Sequence, residues 1–108
     1  MIIGEIMKVV VDASNVAFSV KNKNGQPQMS NILAAVKALE EGEDEFVIIA
    51  DASLRHDIDD KETFLKLLES ENVEEVPAGN DADHFILEIA VREKAKILSN
   101  DKFRDYAA

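Results

Sequence analysis

The chain contains no cysteine, so it can build neither a disulfide framework nor a thiolate metal site. That absence fits a reducing, cytoplasmic compartment. No apolar run is long enough to cross a membrane and no signal-peptide pattern is present, so no membrane partner is expected. Basic residues are scarce as well: 12 Lys and Arg stand against 22 Asp and Glu, for a net charge of -10. A surface of that sign repels nucleic acid at long range and argues against a sequence-nonspecific DNA coat protein. It leaves a nuclease open, because a bound divalent cation cancels the charge of a carboxylate cluster locally. Internal repeats, linkers and low-complexity segments are also lacking. What remains is 108 residues, 46% hydrophobic and 31% charged, the profile of one globular domain with a single core over 1–108.

The organising stretch is Lys8 to Val16. Val9, Val10 and Val11 show no alternation with polar residues, the pattern of a strand buried on both faces of a parallel sheet. This strand is predicted over roughly 7–12 and carries Asp12 to its carboxyl end. In open α/β sheets ligands bind in the crevice outside those ends, so Asp12 reads as a site residue. The alternative is that it caps a turn through Ser14 and Asn15.

Phe18 to Met29 is a polar connection with Lys21, Lys23 and the turn signal Asn24-Gly25-Gln26-Pro27, and its length suits a binding loop better than a spacer. Its lysines either meet phosphate or are solvated. Ser30 is the expected N-cap of a first helix bearing Ile32, Leu33, Val36 and Leu39, stopped at Gly42. Phe46 to Ala50 predicts a second buried strand, ending at Asp51. Asp57, Asp59 and Asp60 crowd the start of a second helix, with Asp59 and Glu62 spaced as a capping box and Phe64, Leu67 and Leu68 as its buried stripe. Val73 to Val76 is a third strand, stopped by Pro77-Ala78-Gly79. A third helix from near Asn80 is expected to bury Phe85, Ile86, Ile89 and Ala90. Lys96 to Ser99 forms a fourth strand, followed by a short helix with Phe103 and Tyr106. The order βαβαβαβα calls for an α/β fold: a mostly parallel sheet of about four strands with helices on both faces.

Asp12 and Asp51 end strands, Asp101 follows the fourth, and Asp81 and Asp83 open the helix before it. If the first and fourth strands are neighbours, Asp12, Asp83 and Asp101 converge at one edge of the sheet. Carboxylates that close raise one another's pKa unless a cation sits between them. Hard oxygen ligands of this kind suit Mg²⁺ or Mn²⁺. Structural roles stay open for each: Asp81 and Asp83 suit a helix's first turn, Asn80 and Asp83 are spaced like a capping box, and Asp101 suits a cap. Asp51 makes the weakest functional case and is left out of the set.

Val11 to Ala17, Asp83 to Leu87 and Leu98 to Asp105 resemble, in order, the three signature blocks of the NYN branch of PIN-like nucleases. Within that branch they look closest to the Regnase-like ribonuclease domains associated with CCCH zinc fingers, and the resemblance runs from about Lys8 to Tyr106. It implies a Rossmann-like (PIN-like) three-layer sandwich and a metal-dependent endoribonuclease. Asp12, Asp83 and Asp101 would be the metal-binding acids, and Asn15 would orient the first of them or the metal's water. The family pattern has adjacent acids before the Phe-Ile pair, whereas this chain has Asp81-Ala82-Asp83. Ala82 thus takes the first position and Asp83 the second, with Asp81 as a candidate compensating ligand. On a helix, residues two apart point to nearly opposite sides, so Asp81 reaches the site only from a non-helical cap position. The family's domain usually continues into another strand and helix, so a truncated or minimal version ending at Ala108 is expected. Without a CCCH zinc finger, RNA targeting would come from a separate partner or domain. A homodimer is a further expectation of the resemblance.

The reaction expected is hydrolysis of an RNA phosphodiester by a water activated on Mg²⁺ or Mn²⁺, which needs no His or Cys nucleophile. Arg55, Ser99, Lys102 and Arg104 are the expected substrate contacts, Arg55 after the second strand and the others around the fourth. For the three cations, a solvated surface charge or an ion pair is the competing reading. His84 is expected on the helix surface near the site and His56 in a loop, neither of them catalytic. A haloacid-dehalogenase-type phosphatase needs an Asp where Ser14 stands, and a receiver domain needs an acid beside Asp12, which disfavours both. The stronger alternative is a catalytically inactive PIN-like domain serving as an RNA-binding or protein-interaction module.

Overall fold

The computed structural model describes residues 8–77 and 82–98. The expected terminal helix and the candidates Asp81, Ser99, Asp101, Lys102 and Arg104 lie outside the described residues. β1 spans Lys8–Asp12, and its valines are buried, as a β-branched run in a central strand should be. At Asp12 the chain turns directly into α1, Ala13–Phe18. The sequence pattern does not announce this helix, because six residues are too few to display a hydrophobic period.

After the connection 19–28 comes α2, Met29–Glu41. Its N-cap is Gln28, not Ser30, and the Met29 N–H donates to the Asp59 carboxylate at 2.9 Å. This cap is supplied by tertiary structure from thirty positions away in sequence, so local spacing does not reveal it. Gly42 ends the helix as expected, its N–H donating to the Ala38 carbonyl at 3.1 Å. The left-handed residue that reverses the chain is Glu43, with φ 59.

β2 spans Glu45–Asp51, followed by a short α3, Leu54–Asp57, which places His56 in a helix where a loop was expected. α4 spans Lys61–Leu67 and is capped by Asp60, which accepts from the Thr63 N–H at 3.1 Å and hydroxyl at 2.7 Å. The Thr63 hydrogen bonds hold the Asp60 carboxyl below its ordinary range. The cap therefore falls one residue later than the Asp59–Glu62 spacing suggests, since Asp59 serves α2. β3 spans Val73–Val76, α5 Ala82–Glu93 and β4 Lys96–Leu98.

The sheet is parallel throughout, in the order β3-β2-β1-β4. Successive strands step from β1 to β2 to β3 on one side, and the chain then returns past both to place β4 on the other side of β1. Right-handed crossovers send the helices of these opposite moves to opposite faces. Val9, Val11, Ile48, Ala50 and Val73 pack on the face covered by α1, α2 and α4. Val10, Ile49, Val76 and Ile97 pack on the other face against Ile86, Ile89 and Ala90 of α5. Each fully buried aliphatic side chain, such as Ile32, Ile48 or Ile86, contributes roughly 1.5–3 kcal/mol. Phe85 departs from expectation: it is 38% exposed and does not belong to the buried face of its helix.

Lys8, at the start of β1, pairs with Glu93, at the end of α5. The Lys8 ammonium, with Arg92 second, holds the Glu93 carboxyl below its ordinary range. A carboxylate depressed in the folded state adds stability above its unfolded pKa and loses that contribution as pH falls through the folded value. Wild type should therefore exceed Glu93→Gln in stability at neutral pH, and the gap should close on acidification. Urea midpoints of both proteins across the acid range would check this; a gap independent of pH would refute the pairing.

Candidate active site

Register decides which side chains meet at the carboxyl edge. Asp12 lies opposite Ile49 on β2, two residues before Asp51. Val10 and Ile49 face α5, so strand alternation places Asp12 and Asp51 on the same face. The first turn of α5 brings Asp83. Together Asp12, Ser14, Asn15, Phe18, Asp51, Ala82 and Asp83 line a cleft of about 320 Å³. β1 is the strand at which the sheet's order reverses, so this cleft sits at the topological switch point, where open α/β sheets bind their ligands. A larger cavity, about 530 Å³, lies at the opposite edge, among residues such as Lys8, Glu45 and Glu93.

Asp12 is 6% exposed, the one buried charged side chain among the described residues. Burial of a carboxylate is costly unless hydrogen bonds or charge compensate it. Its Oδ1 accepts the Asn15 backbone N–H at 3.1 Å, making Asp12 the N-cap of α1. The capping and strand-end readings of Asp12 thus describe one residue with both placements. Asn15 orients Asp12 through its backbone, a bond that does not depend on its side chain. Asp51 accepts from the Ser53 N–H and hydroxyl, both at 2.8 Å. Its place at a strand end was the signal that could have put it with Asp12.

Arg55 is engaged elsewhere. Its Nε and Nη2 donate to the two Glu75 carboxylate oxygens at 2.9 and 2.5 Å. This pairing raises the Arg55 pKa further above its ordinary value, and Arg55 is not among the residues lining the cleft. His84 is exposed on α5, its Nε2 3.6 Å from a Glu88 carboxylate oxygen. Ser14 and Phe18 enter the cleft without having been singled out as site residues, and Ala82 enters it at the position where the resemblance calls for an acid. For Ser14 and Phe18 the missing information was α1 itself, which carries both.

Among the described residues, no three carboxylate or imidazole side chains stand close enough together to hold a metal by themselves. Among the described residues, the side-chain donors along the cleft are nonetheless of Asp, Ser and Asn type. That chemistry fits a hard divalent cation, which keeps several waters and needs only one or two protein carboxylates. It does not suit zinc.

The two roles of Asp12 can be separated. Asn caps a helix about as well as Asp does, whereas Ala forfeits about 1 kcal/mol. Without metal, Asp12→Asn should melt above wild type, because it removes one of the acids facing the cleft, and Asp12→Ala should melt below Asp12→Asn. Thermal unfolding in EDTA reads the order; equal melting of the two variants would show that the side chain does not cap α1.

No helix among the described residues is long and apolar enough to cross a membrane. No curated protein matches the sequence significantly. Among solved structures the chain is similar to nuclear proteinaceous RNase P 2 (PRORP2) from A. thaliana, with a TM-score of 0.65 at 20% identity. The similarity covers 94% of this chain and 23% of that one, and at such identity it shows the shared fold. A family model described as Zc3h12a-like Ribonuclease NYN domain matches residues 5–108. The resemblance seen in the three sequence blocks is thereby met: the chain belongs to the family of Zc3h12a-like ribonuclease NYN domains, of PIN-like fold.

Proposed function

We propose that this domain is an endoribonuclease that hydrolyses RNA phosphodiester bonds at the Asp12 cleft with the help of Mg²⁺ or Mn²⁺. The observation that carries this reading is the burial of Asp12 at the end of the central strand, in one cleft with Asp51 and Asp83. A cap for α1 could be made by Ser or Thr with no desolvated charge. A carboxylate there offers a charged oxygen ligand that a hydroxyl cap would not, which suits a cation.

Asp12 and Asp83 would hold the cation, joined by Asp101 and with Asp81 as a further candidate. When bound, the cation supplies an activated water and neutralises charge developing on the phosphate. The chain's own contribution is preorganisation: the Asn15 N–H fixes the Asp12 carboxylate before substrate arrives, so no reorientation is needed during reaction. The low exposure of Asp12 also strengthens its electrostatic interactions. Asn15, through its side chain, and Ser99, Lys102 and Arg104 are proposed as orienting and phosphate-contacting groups. Arg55 would join them by exchanging Glu75 for phosphate, since a guanidinium pairs with either in the same bidentate geometry. A cytoplasmic location, a homodimer and a separate partner or domain that targets RNA complete the proposal.

One observation favours a catalytically inactive RNA-binding or protein-interaction module instead. Ala82 lines the cleft at the position where the family resemblance calls for an acid. A single assay separates the two: cleavage of labelled single-stranded RNA with Mn²⁺, with Mg²⁺ and with EDTA. Metal-dependent cleavage is expected, lowered at least about a hundredfold in Asp12→Asn, the scale of losing one electrostatic contact to a transition state. Ala82→Asp should lower the metal concentration needed. Absence of cleavage, together with a melting temperature unmoved by Mn²⁺, would replace the nuclease reading with the inactive module.

A further inference from the structure

The connection 19–28 is held in one shape. Gln28 donates through its N–H to the Ala17 carbonyl at 2.9 Å and through Nε2 to the Val20 carbonyl at 2.6 Å. Asn31 Nδ2 donates to both of those carbonyls, each at 2.9 Å. Asn22 Oδ1 accepts from the N–H groups of Asn24 and Gln26, both at 2.9 Å, around a turn that needs Gly25 at φ 77. Pro27 is buried and its carbonyl accepts the Asp59 N–H at 3.0 Å. A loop tied at so many points is ordered before a ligand arrives, which lowers the entropic cost of binding one.

Phe18, the last residue of α1, stands beside this loop and is 40% exposed. Its side chain lines the Asp12 cleft and also a second cleft of about 260 Å³, walled by Gly25, Gln26, Pro27, His56 and Asp57. Lys21 Nζ lies 5.8 Å from the centroid of the ring. An aromatic residue thus borders both the acidic cleft and a cleft with polar edge groups, with a cation at hand.

We propose that Phe18 is a stacking platform for one unpaired nucleobase, seated in the second cleft with its phosphate near Lys21. A paired base has its faces covered by neighbours, whereas an unpaired base can lay a face on an aromatic ring. Gln26, His56 and Asp57 offer donors and acceptors to the base's edge. The need for stacking follows from the charge: at net -10 long-range attraction does not gather phosphate, so affinity must come from contacts indifferent to overall charge. This inference rests on the reading of the Asp12 cleft as the site of RNA hydrolysis.

The test is binding of a labelled short oligoadenylate by fluorescence anisotropy in EDTA, which prevents metal-dependent cleavage and leaves the second cleft untouched. Phe18→Leu keeps apolar volume without a π face and should weaken binding roughly fivefold to a hundredfold, the range for loss of one stacked base. Phe18→Tyr should bind as wild type does, and a duplex of the same sequence should not compete. For wild type, replacing one base by an abasic ribose should cost a similar factor at one position. In Phe18→Leu the same replacement should cost nothing more, because the two changes remove one contact. Unchanged affinity in Phe18→Leu, or an oligomer that wild type does not bind, overturns the inference. Should Phe18→Leu fail to fold, the abasic series on wild type still decides: no penalty at any position overturns it. A protein that binds in this way but never cleaves fails the hydrolysis reading alone.

Discussion

A carboxylate buried at the end of the central strand is the constraint on which the rest of the structure depends. Asp12 closes a run of three buried valines and caps the helix that follows, so strand, turn and helix are joined at one side chain. Its Oδ1 is held by the Asn15 N–H, a backbone group left over by helix geometry. The same placement puts the charge where the sheet's strand order reverses and where a cleft must open. Structural and chemical demands therefore fall on one residue.

Around this point the fold separates two environments. Behind the sheet's first face, α1, α2 and α4 build an apolar layer, whereas the second face is covered by α5, whose first turn delivers Asp83 to the cleft. The acids lie at one end of the strands and the Lys8–Glu93 pair at the other. An acidic cleft in an acidic chain is poor at attracting RNA by charge alone. The reading as a metal-assisted ribonuclease is physically coherent because a divalent cation reverses the sign locally and because an aromatic ring at the rim can hold a base without charge.

Much of the fold was legible because its strands are unusually plain. Val9 to Val11 and Phe46 to Ala50 are short apolar runs with clear stops, and Val73 to Val76, two valines around two glutamates stopped by Pro77, coincides with β3. Helix boundaries were less legible. Asp59 is spaced to cap its own helix, yet it caps α2 instead, because the tertiary packing brings the Met29 N–H to it. Phe85 sits within a correctly anticipated helix but turns toward solvent, since Ile86, Ile89 and Ala90 already fill the single stripe that the sheet can cover.

By itself, the sequence determined the order of the strands and their longer crossover helices: two buried strands that end in aspartates, and three blocks that mark a ribonuclease family. These are local properties, written in periodicity and in residue type. Tertiary structure alone decided which aspartates share a cleft, because the β1–β2 register and the side of the sheet taken by α5 set that. It also decided that Arg55 faces Glu75 rather than the cleft, and that Phe18 borders two clefts. Those outcomes depend on where distant segments meet, and no spacing within a single segment encodes them.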